Sequence, residues 1–97
     1  MKTTVFCLWL VAGDGSDSPY GHYMKKFDQE IPRLHLGEMT RLPEGTTDHY
    51  KVTGIWHDDP LTGNMITYHL EAFSLEEVAA RKYHKKLEEN GYTWNPN

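Results

Sequence analysis

The feature that most constrains the fold is the apolar run at residues 4–12, TVFCLWLVA. It is apolar at nearly every position and rich in β-branched and aromatic residues, which predicts a strand covered on both faces. The run is too short to cross a bilayer, so we expect no membrane partner. A chain of 97 residues has room for one domain, and we expect a single domain over residues 1–97.

A helix is predicted after the glycine- and aspartate-rich turn that follows this run. Ser18 can cap it, and Pro19 suits the first helical position. The apolar residues that follow recur at spacings of three and four, which makes one helical stripe. They are Tyr20, Tyr23, Met24, Phe27 and Ile31. Pro32 disfavours helical geometry at the residue before it, so the helix should end at about residue 31.

Three strands are predicted in the middle of the chain. Residues 33–42 suggest an interrupted strand with a bulge at Gly37, and residues 50–57 suggest a mixed strand. Residues 65–73 alternate in polarity, which predicts a strand with one core face. That face would carry Ile66, Tyr68, Leu70 and Ala72. Pro60 and Gly63 predict a hairpin turn before it.

The strongest local signals lie in a strand that runs directly into the C-terminal helix. Ser74 and Glu77 match a capping box, with Phe73 and Val78 as its hydrophobic staple. Gly91 supplies the left-handed residue that ends the helix, so that Tyr92 can pack back on the last turn. The expected buried stripe consists of Leu75, Val78, Ala79, Tyr83 and Leu87. Residues 93–97 are expected to form a tail.

Together these elements predict an α+β fold in the order β-α-β-β-β-α, with an antiparallel sheet of three to four strands and two helices. The first strand needs cover on both faces. Either each helix covers one face, or a second copy of the chain or a partner covers one of them. The second alternative is our main reason to expect an interaction protein, with a homodimer as one form of it.

Composition excludes several functions. The chain has 14 acidic and 10 basic residues and a net charge of −4, which argues against a general nucleic-acid binder. Cys7 is the only cysteine, so an intramolecular disulfide and a thiolate zinc site are excluded, and a reducing cytoplasm is expected. We find no nucleophile elbow and no phosphate-binding glycine loop. We therefore expect neither an enzyme nor a cofactor.

The candidate interface residues are aromatic, histidine and aspartate side chains. Tyr50 and Trp56 are rigid anchors if they face outward and core residues if they face inward, and the sequence does not decide between these. His57 and His69 flank the 58–64 turn and could meet there with Asp58 or Asp59 to bind a metal. We prefer the interpretation that the histidines occupy separate exposed or edge positions, so no metal is expected. The acidic turns at Asp14 and Asp17, and at Asp58 and Asp59, could contact basic surfaces.

A basic ridge is the second candidate surface. Arg81, Lys82, Lys85 and Lys86 lie away from the predicted helical stripe or along its edges, and such a ridge could meet phosphates. The alternative, which we favour, is a solvated face with acidic partners at i,i+4 spacing.

The segment ITYHLEAFSLEEVAA, residues 66–80, resembles the strand-then-helix unit of many small phage and mobile-element proteins, among them transcription inhibitors and anti-CRISPR proteins. The resemblance is architectural and assigns no functional residue. It implies a non-enzymatic protein that inhibits a larger host or defence complex, a protein or ribonucleoprotein, by occupying one of its surfaces. A nucleic-acid-binding module that uses the basic ridge is the alternative, and a histidine-based metal or enzyme site is third.

Overall fold

The structure is a computed structural model that describes residues 3–13, 19–29, 31, 33–45, 47–57 and 65–96. Within these residues it contains six strands and two short helices. The strands are β1 (Thr3–Ala12), β2 (Pro19–Phe27), β3 (Met39–Thr40), β4 (Tyr50–His57), β5 (Met65–Ser74) and β6 (Thr93–Pro96), and the helices, which lie between β5 and β6, are α1 (Glu77–Tyr83) and α2 (Lys85–Glu89).

The strands of the described residues form one mixed sheet in the order β3-β4-β5-β1-β2-β6. β1 lies inside it, antiparallel to β2 and parallel to β5. The predicted antiparallel sheet of three to four strands, in the order β-α-β-β-β-α, is therefore wrong. β3, β4 and β5 do form a meander. However, the N-terminal strand joins it in parallel and carries β2 and β6 on its other side.

Residues 19–27 form β2 and not the predicted helix. Tyr23 and Phe27 are buried on the core face, whereas His22 and Met24 lie on the opposite face. The prediction failed because residues four positions apart share a side in a strand as well as in a helix. Non-local pairing decides the outcome, since a strand as apolar as β1 lies in the sheet interior and needs a neighbour on each side.

The predicted strand over residues 33–42 is reduced to the two residues of β3. Gly37 is not a strand bulge. It adopts a positive φ of 82° in a turn, and its N–H donates to Val52 O at 2.9 Å. Leu36 and Met39 are exposed, so the apolar residues of this segment do not build one buried face.

The C-terminal helix begins later than predicted. α1 starts at Glu77, and its N-cap residue is Glu76, which makes no side-chain capping bond. The Ser74 hydroxyl donates to Glu76 O at 2.8 Å and accepts from Glu76 N at 3.3 Å, which makes a local turn and not a capping box. Phe73 and Val78 are 67% and 70% exposed, too far into solvent for the predicted staple.

The buried face of the helices also differs from the prediction. Ala80, His84 and Leu87 are buried, whereas Leu75, Val78 and Tyr83 are exposed. Leu87 alone among these apolar residues was placed correctly. The predicted stripe omits His84 because a histidine is polar and is not expected at a buried helical position. Its two ring nitrogens form hydrogen bonds inside the protein, with Tyr50 and with the backbone of Ala80.

The predicted helix ending is confirmed. Gly91 has a φ of 94°, in the region where glycine has no steric penalty. Its N–H donates to Glu88 O at 3.2 Å, and the N–H of Tyr92 donates to Leu87 O at 2.9 Å, as a Schellman ending requires. Tyr92 is buried in the same core cluster as Leu87. The following residues form β6, which pairs with β2, and not the predicted tail.

β1 is buried on both sides, as its sequence predicts. Phe6, Leu8 and Leu10 share a core cluster with Ala80 of α1 and Leu87 of α2, so both helices lie on one face. The alternative in which each predicted helix covers one face is wrong, because the first predicted helix is β2 and both α1 and α2 belong to the C-terminal segment. The opposite side of the sheet is called here the outer face. Val5, Cys7 and Val11 alternate onto it and are also buried.

Candidate binding surfaces

Four ring side chains cross the outer face, one from each of four neighbouring strands. They are His22 on β2, Trp9 on β1, His69 on β5 and Trp56 on β4, and we call them the aromatic row. The ring centroids of Trp9 and His22 are 4.3 Å apart, those of Trp9 and His69 are 6.2 Å apart, and those of Trp56 and His69 are 5.1 Å apart. Each ring is therefore supported by a neighbouring ring.

A bulge in β4 places Trp56 in this row. The pairing of β4 with β5 shifts just before Gly54, which reverses the faces of the residues that follow. Tyr50, before the bulge, is buried in the core, and Trp56, after it, is 62% exposed. A Cβ atom at Gly54 would lie 3.3 Å from Trp56 Nε1 and 3.4 Å from His69 Cβ. The glycine therefore leaves room for the outward-facing ring.

A hydrogen bond fixes the centre of the aromatic row. Trp9 Nε1–H donates to His69 Nδ1 at 3.0 Å. Because the indole nitrogen can only donate, Nδ1 must be unprotonated, and in the neutral ring the proton is on Nε2. Partial burial lowers the pKa of His22 below its ordinary value, which favours its neutral form. The row is thus rigid and has little tendency to carry charge at its His22 end.

A shallow hollow of ≈ 310 Å³ lies beside Trp56, with Trp9, Val11 and Thr53 among its walls. Glu71 also lines it, and the strand register places Lys51 beside Glu71 on the outer face. Lys26 lies on the same face, beside Val5 of β1. The lysines are exposed. The described part of this face therefore combines an aromatic centre with a mixed charged border.

A larger groove of ≈ 560 Å³ lies on the helix side, where the chain before β4 separates from the end of β5. β4 pairs with β5 only from Lys51 and Glu71 onward. Beyond that pair, the described lining includes Asp48 and His49 on one side, Ala72 to Ser74 on the other, and Ala79, Ala80 and Tyr83 of α1 above.

Tyr50 and His84 form a buried pair in this groove. Tyr50 Oη lies 3.0 Å from His84 Nε2, and His84 Nδ1 lies 2.8 Å from Ala80 O. A carbonyl oxygen only accepts, so Nδ1–H donates to it, and Nε2 accepts the tyrosine hydroxyl proton. Burial is the main cause that lowers the pKa of His84, opposed by the Ala80 hydrogen bond and by the charge of Asp48. The pair is therefore a neutral, closed arrangement.

The structure separates the two histidines of the alternative metal site. His57 pairs with Ile66, on the core side of the sheet, whereas His69 lies on the outer face. Among the described residues, no group of three or more histidine, cysteine, aspartate or glutamate side chains is placed to hold a metal ion. The acidic-turn candidates Asp14, Asp17, Asp58 and Asp59 lie outside the described residues.

The four residues of the basic ridge do not act alike. The Arg81 guanidinium lies 4.7 Å from the Trp94 ring centroid and makes a 3.0 Å ion pair with Glu88. Lys82, Lys85 and Lys86 are exposed, as the predicted solvated face requires. The described ion pair joins Arg81 to Glu88, and not to Glu77 at i,i+4. Arg81 thus braces the helix against β6.

Three site residues escaped the sequence reasoning. Trp9 was not identified because it lies in an apolar run that a buried strand alone explains. His22 was not identified because its segment was predicted to be a helix. His84 was obscured by its polarity. The alternation of β1 places Trp9 on the same face as Cys7 and offers a signal for the first residue. No local signal identifies which strands become neighbours, and that pairing creates the aromatic row.

No protein-family model, curated protein or solved structure matches this chain. Within the part of the chain that the structure describes, no helix has the length and apolar character needed to cross a membrane.

Proposed function

We propose that this chain is a small non-enzymatic binding protein that occupies a surface of a larger protein or ribonucleoprotein complex. An inhibitor of a host or defence complex, of the anti-CRISPR or host-takeover type, is the role that its resemblance to small phage proteins implies. The observation that carries the proposal is Trp56, which is 62% exposed at the end of the aromatic row. The contact surface is the outer face around it.

The support for a binding role is the rigidity of this surface. Trp56 packs edge-to-face against His69, and His69 is held by the hydrogen bond from Trp9. A side chain that is already ordered loses little conformational freedom when it binds. Tryptophan is also the residue type most enriched among interface positions that contribute strongly to affinity. The partner surface should offer an apolar pocket for Trp56 and acidic groups for Lys51 and Lys26.

The test compares three tagged forms of the chain in an extract of the source organism. They are the wild type, Trp56→Ala and Leu75→Ala, a matched control because Leu75 is a large apolar side chain that is also exposed. A protein captured by the wild type and the control but not by Trp56→Ala is then purified and titrated against all three. Trp56→Ala should weaken this binding by about 30-fold, the effect of a strong interface anchor.

Three outcomes contradict the proposal. One is equal affinity of Trp56→Ala and wild type for the purified partner. Another is capture that disappears on nuclease treatment and returns with naked nucleic acid, which would support the nucleic-acid alternative. The third is a wild-type dimer in solution that Trp56→Ala dissociates, which would assign the outer face to a second copy of the chain.

A further inference from the structure

The backbone of β5 determines which backbone groups of β4 remain free. Ser74 O accepts a hydrogen bond from Gly13 N at 2.9 Å, so the backbone groups of Ser74 point towards β1. Backbone groups alternate in direction along a strand. Those of Tyr68, an even number of residues earlier, therefore also point towards β1, and those of Thr67 point towards β4.

The register with β5 then gives the backbone directions in the second half of β4. Trp56 lies opposite Thr67, and Ile55 lies opposite Tyr68. Trp56 therefore exchanges backbone hydrogen bonds with Thr67, whereas the N–H and C=O of Ile55 point away from β5. The same alternation turns the backbone groups of His57 outward. Ile55 and His57 thus present two donor–acceptor pairs on one side of β4, which we call the open edge.

β3 and the turn before it cover only the beginning of this side of β4. Val52 N donates to Glu38 O at 2.9 Å, and Val52 O accepts from Gly37 N at 2.9 Å. Within the described residues, no strand pairs with this side of β4 beyond Val52. The sheet therefore ends at the open edge, where Ile55 and His57 offer their backbone groups to a further strand.

The open edge lacks the usual protection against an added strand. Natural edge strands carry proline, charged side chains or a covering element. Residues 55–57 are isoleucine, tryptophan and histidine, and the bulge at Gly54 comes before them. The exposed ring of Trp56 lies beside the same edge. In β-strand addition, an exposed edge supplies backbone hydrogen bonds and the adjoining side chains supply specificity.

The side chains beside the open edge indicate what an added strand carries. On the core face, Ile55 is half-buried and packs against the core cluster, so a β-branched residue opposite it extends that apolar surface. On the outer face the neighbours are Gly54, which has no side chain, and Trp56, so an aliphatic or aromatic residue packs there. Residues 52–57 contain no lysine, arginine, aspartate or glutamate, and the segment that fits is therefore uncharged.

We propose that the partner adds an extended, uncharged segment rich in β-branched residues to the open edge, where it pairs with the backbone of Ile55 and His57. This inference rests on the proposed function, because the added strand continues the contact that Trp56 makes on the outer face. It gives that contact a binding mode, which is a sheet shared between the two proteins.

Amide hydrogen exchange of the full chain, without any partner, gives the first test. The amides of Ile55 and His57 should exchange rapidly because they point out of the sheet, whereas the amide of Trp56 between them should exchange slowly. Slow exchange at Ile55 and His57 would mean that the edge is already covered, and it would overturn the proposal.

The probe for an added strand is an end-capped pentapeptide that alternates threonine and valine, with a methyl group on each valine nitrogen. Its threonine N–H groups all lie on one edge, so it can add to a strand but cannot build a sheet with itself. It should shift the ¹⁵N amide resonances of Ile55 and His57 and slow their exchange. The same peptide methylated on every backbone nitrogen should do neither. No shift with either peptide, or equal shifts with both, overturns the proposal.

His57→Pro removes one donor of the open edge, and His57→Ala is its matched control. Both variants lose the imidazole, but only proline also loses the N–H. Proline is tolerated on an edge strand where its nitrogen faces away from the neighbouring strand, and circular dichroism with a urea titration checks that both variants fold. His57→Pro should bind the singly edged peptide at least about tenfold more weakly than His57→Ala. Equal affinities of the two variants contradict the pairing.

The purified partner separates this inference from the proposed function. If Trp56→Ala loses the partner while His57→Pro and His57→Ala bind it equally, strand addition is overturned and the function proposed for Trp56 stands. If Trp56→Ala binds the partner as well as the wild type does, the proposed function fails. Weaker partner binding by His57→Pro than by His57→Ala then still supports the open edge.

Discussion

The buried Tyr50–His84 pair provides the sharpest test of the fold. Tyr50→Phe removes the hydroxyl that donates to His84 Nε2 at 3.0 Å and leaves the ring otherwise in place. The nitrogen then remains buried without this donor, which should cost about 1–3 kcal/mol of unfolding free energy. For a domain of this size, a loss of 1 kcal/mol lowers Tm by roughly 4–8 °C.

Tyr23→Phe is the matched control. The Tyr23 hydroxyl is also buried, and its polar neighbour is the Arg81 guanidinium. Burial is the main cause that raises its pKa, and neighbouring Arg81 opposes that shift. Removal of this hydroxyl leaves a guanidinium that still has Glu88 as its ion-pair partner, so it should cost less stability than removal of the Tyr50 hydroxyl. Both variants make the same chemical change, so the double-mutant cycle with His84 is what assigns the difference in stability to the Tyr50–His84 hydrogen bond.

The assay is equilibrium unfolding in urea, monitored by tryptophan fluorescence. The pH is set well above the ordinary pKa of histidine so that His84 is neutral. A double-mutant cycle of Tyr50→Phe with His84→Leu should give a coupling energy of about 1 kcal/mol or more. The reasoning is refuted if the two tyrosine variants lose the same stability, or if the coupling energy is zero within error.

Four further outcomes are expected. Folding favours the neutral form of His84, because its pKa in the folded protein is lowered from 6.5. The resulting stabilisation is complete above pH 6.5 and is lost as the pH falls through the lowered pKa. Urea titrations from neutral to acidic pH should therefore show a smaller loss of unfolding free energy in His84→Leu than in the wild type. Gly91→Ala should lower the unfolding free energy by about 1 kcal/mol, because alanine is strained at a positive φ, and an unchanged urea midpoint would contradict the observed helix ending. Trp56→Ala should change stability by less than about 0.5 kcal/mol, as for other exposed positions, and a larger loss in the same titration would mean that Trp56 is structural. Trp9→Phe removes the donor to His69 and should weaken partner binding with little loss of far-UV circular dichroism, whereas unchanged affinity would show that the row need not be rigid.

The local sequence pattern was sufficient to predict a strand where the residues of that strand alone determine its conformation. β4 matches its predicted bounds, and β1 and β5 match within one residue at each end, because their apolar and alternating residues fit no competing element. The Schellman ending was also predictable, since Gly91 and Tyr92 act only on the turn beside them.

The predictions were wrong where pairing between strands distant in sequence determines the structure. Tyr23 and Phe27 fit a helix and a strand equally well, and only the edge of β1 selects the strand. The bulge before Gly54 could not be read from composition, yet it separates Tyr50 from Trp56. The aromatic row depends on the neighbour relation of four strands, so neither Trp9 nor His22 was recognised as part of a surface.

The parallel pairing of β1 with β5 affects how the chain must be made. Trp9 and His69 are 60 residues apart in sequence. At a synthesis rate of about 5–20 residues per second, the ribosome needs roughly 3–12 s to reach the second after the first. During that interval β1 lacks one of its two sheet neighbours, and its apolar edge can pair with other chains. Slower translation before β5 should therefore increase aggregation, and a permuted chain that brings β1 and β5 together in sequence should fold faster.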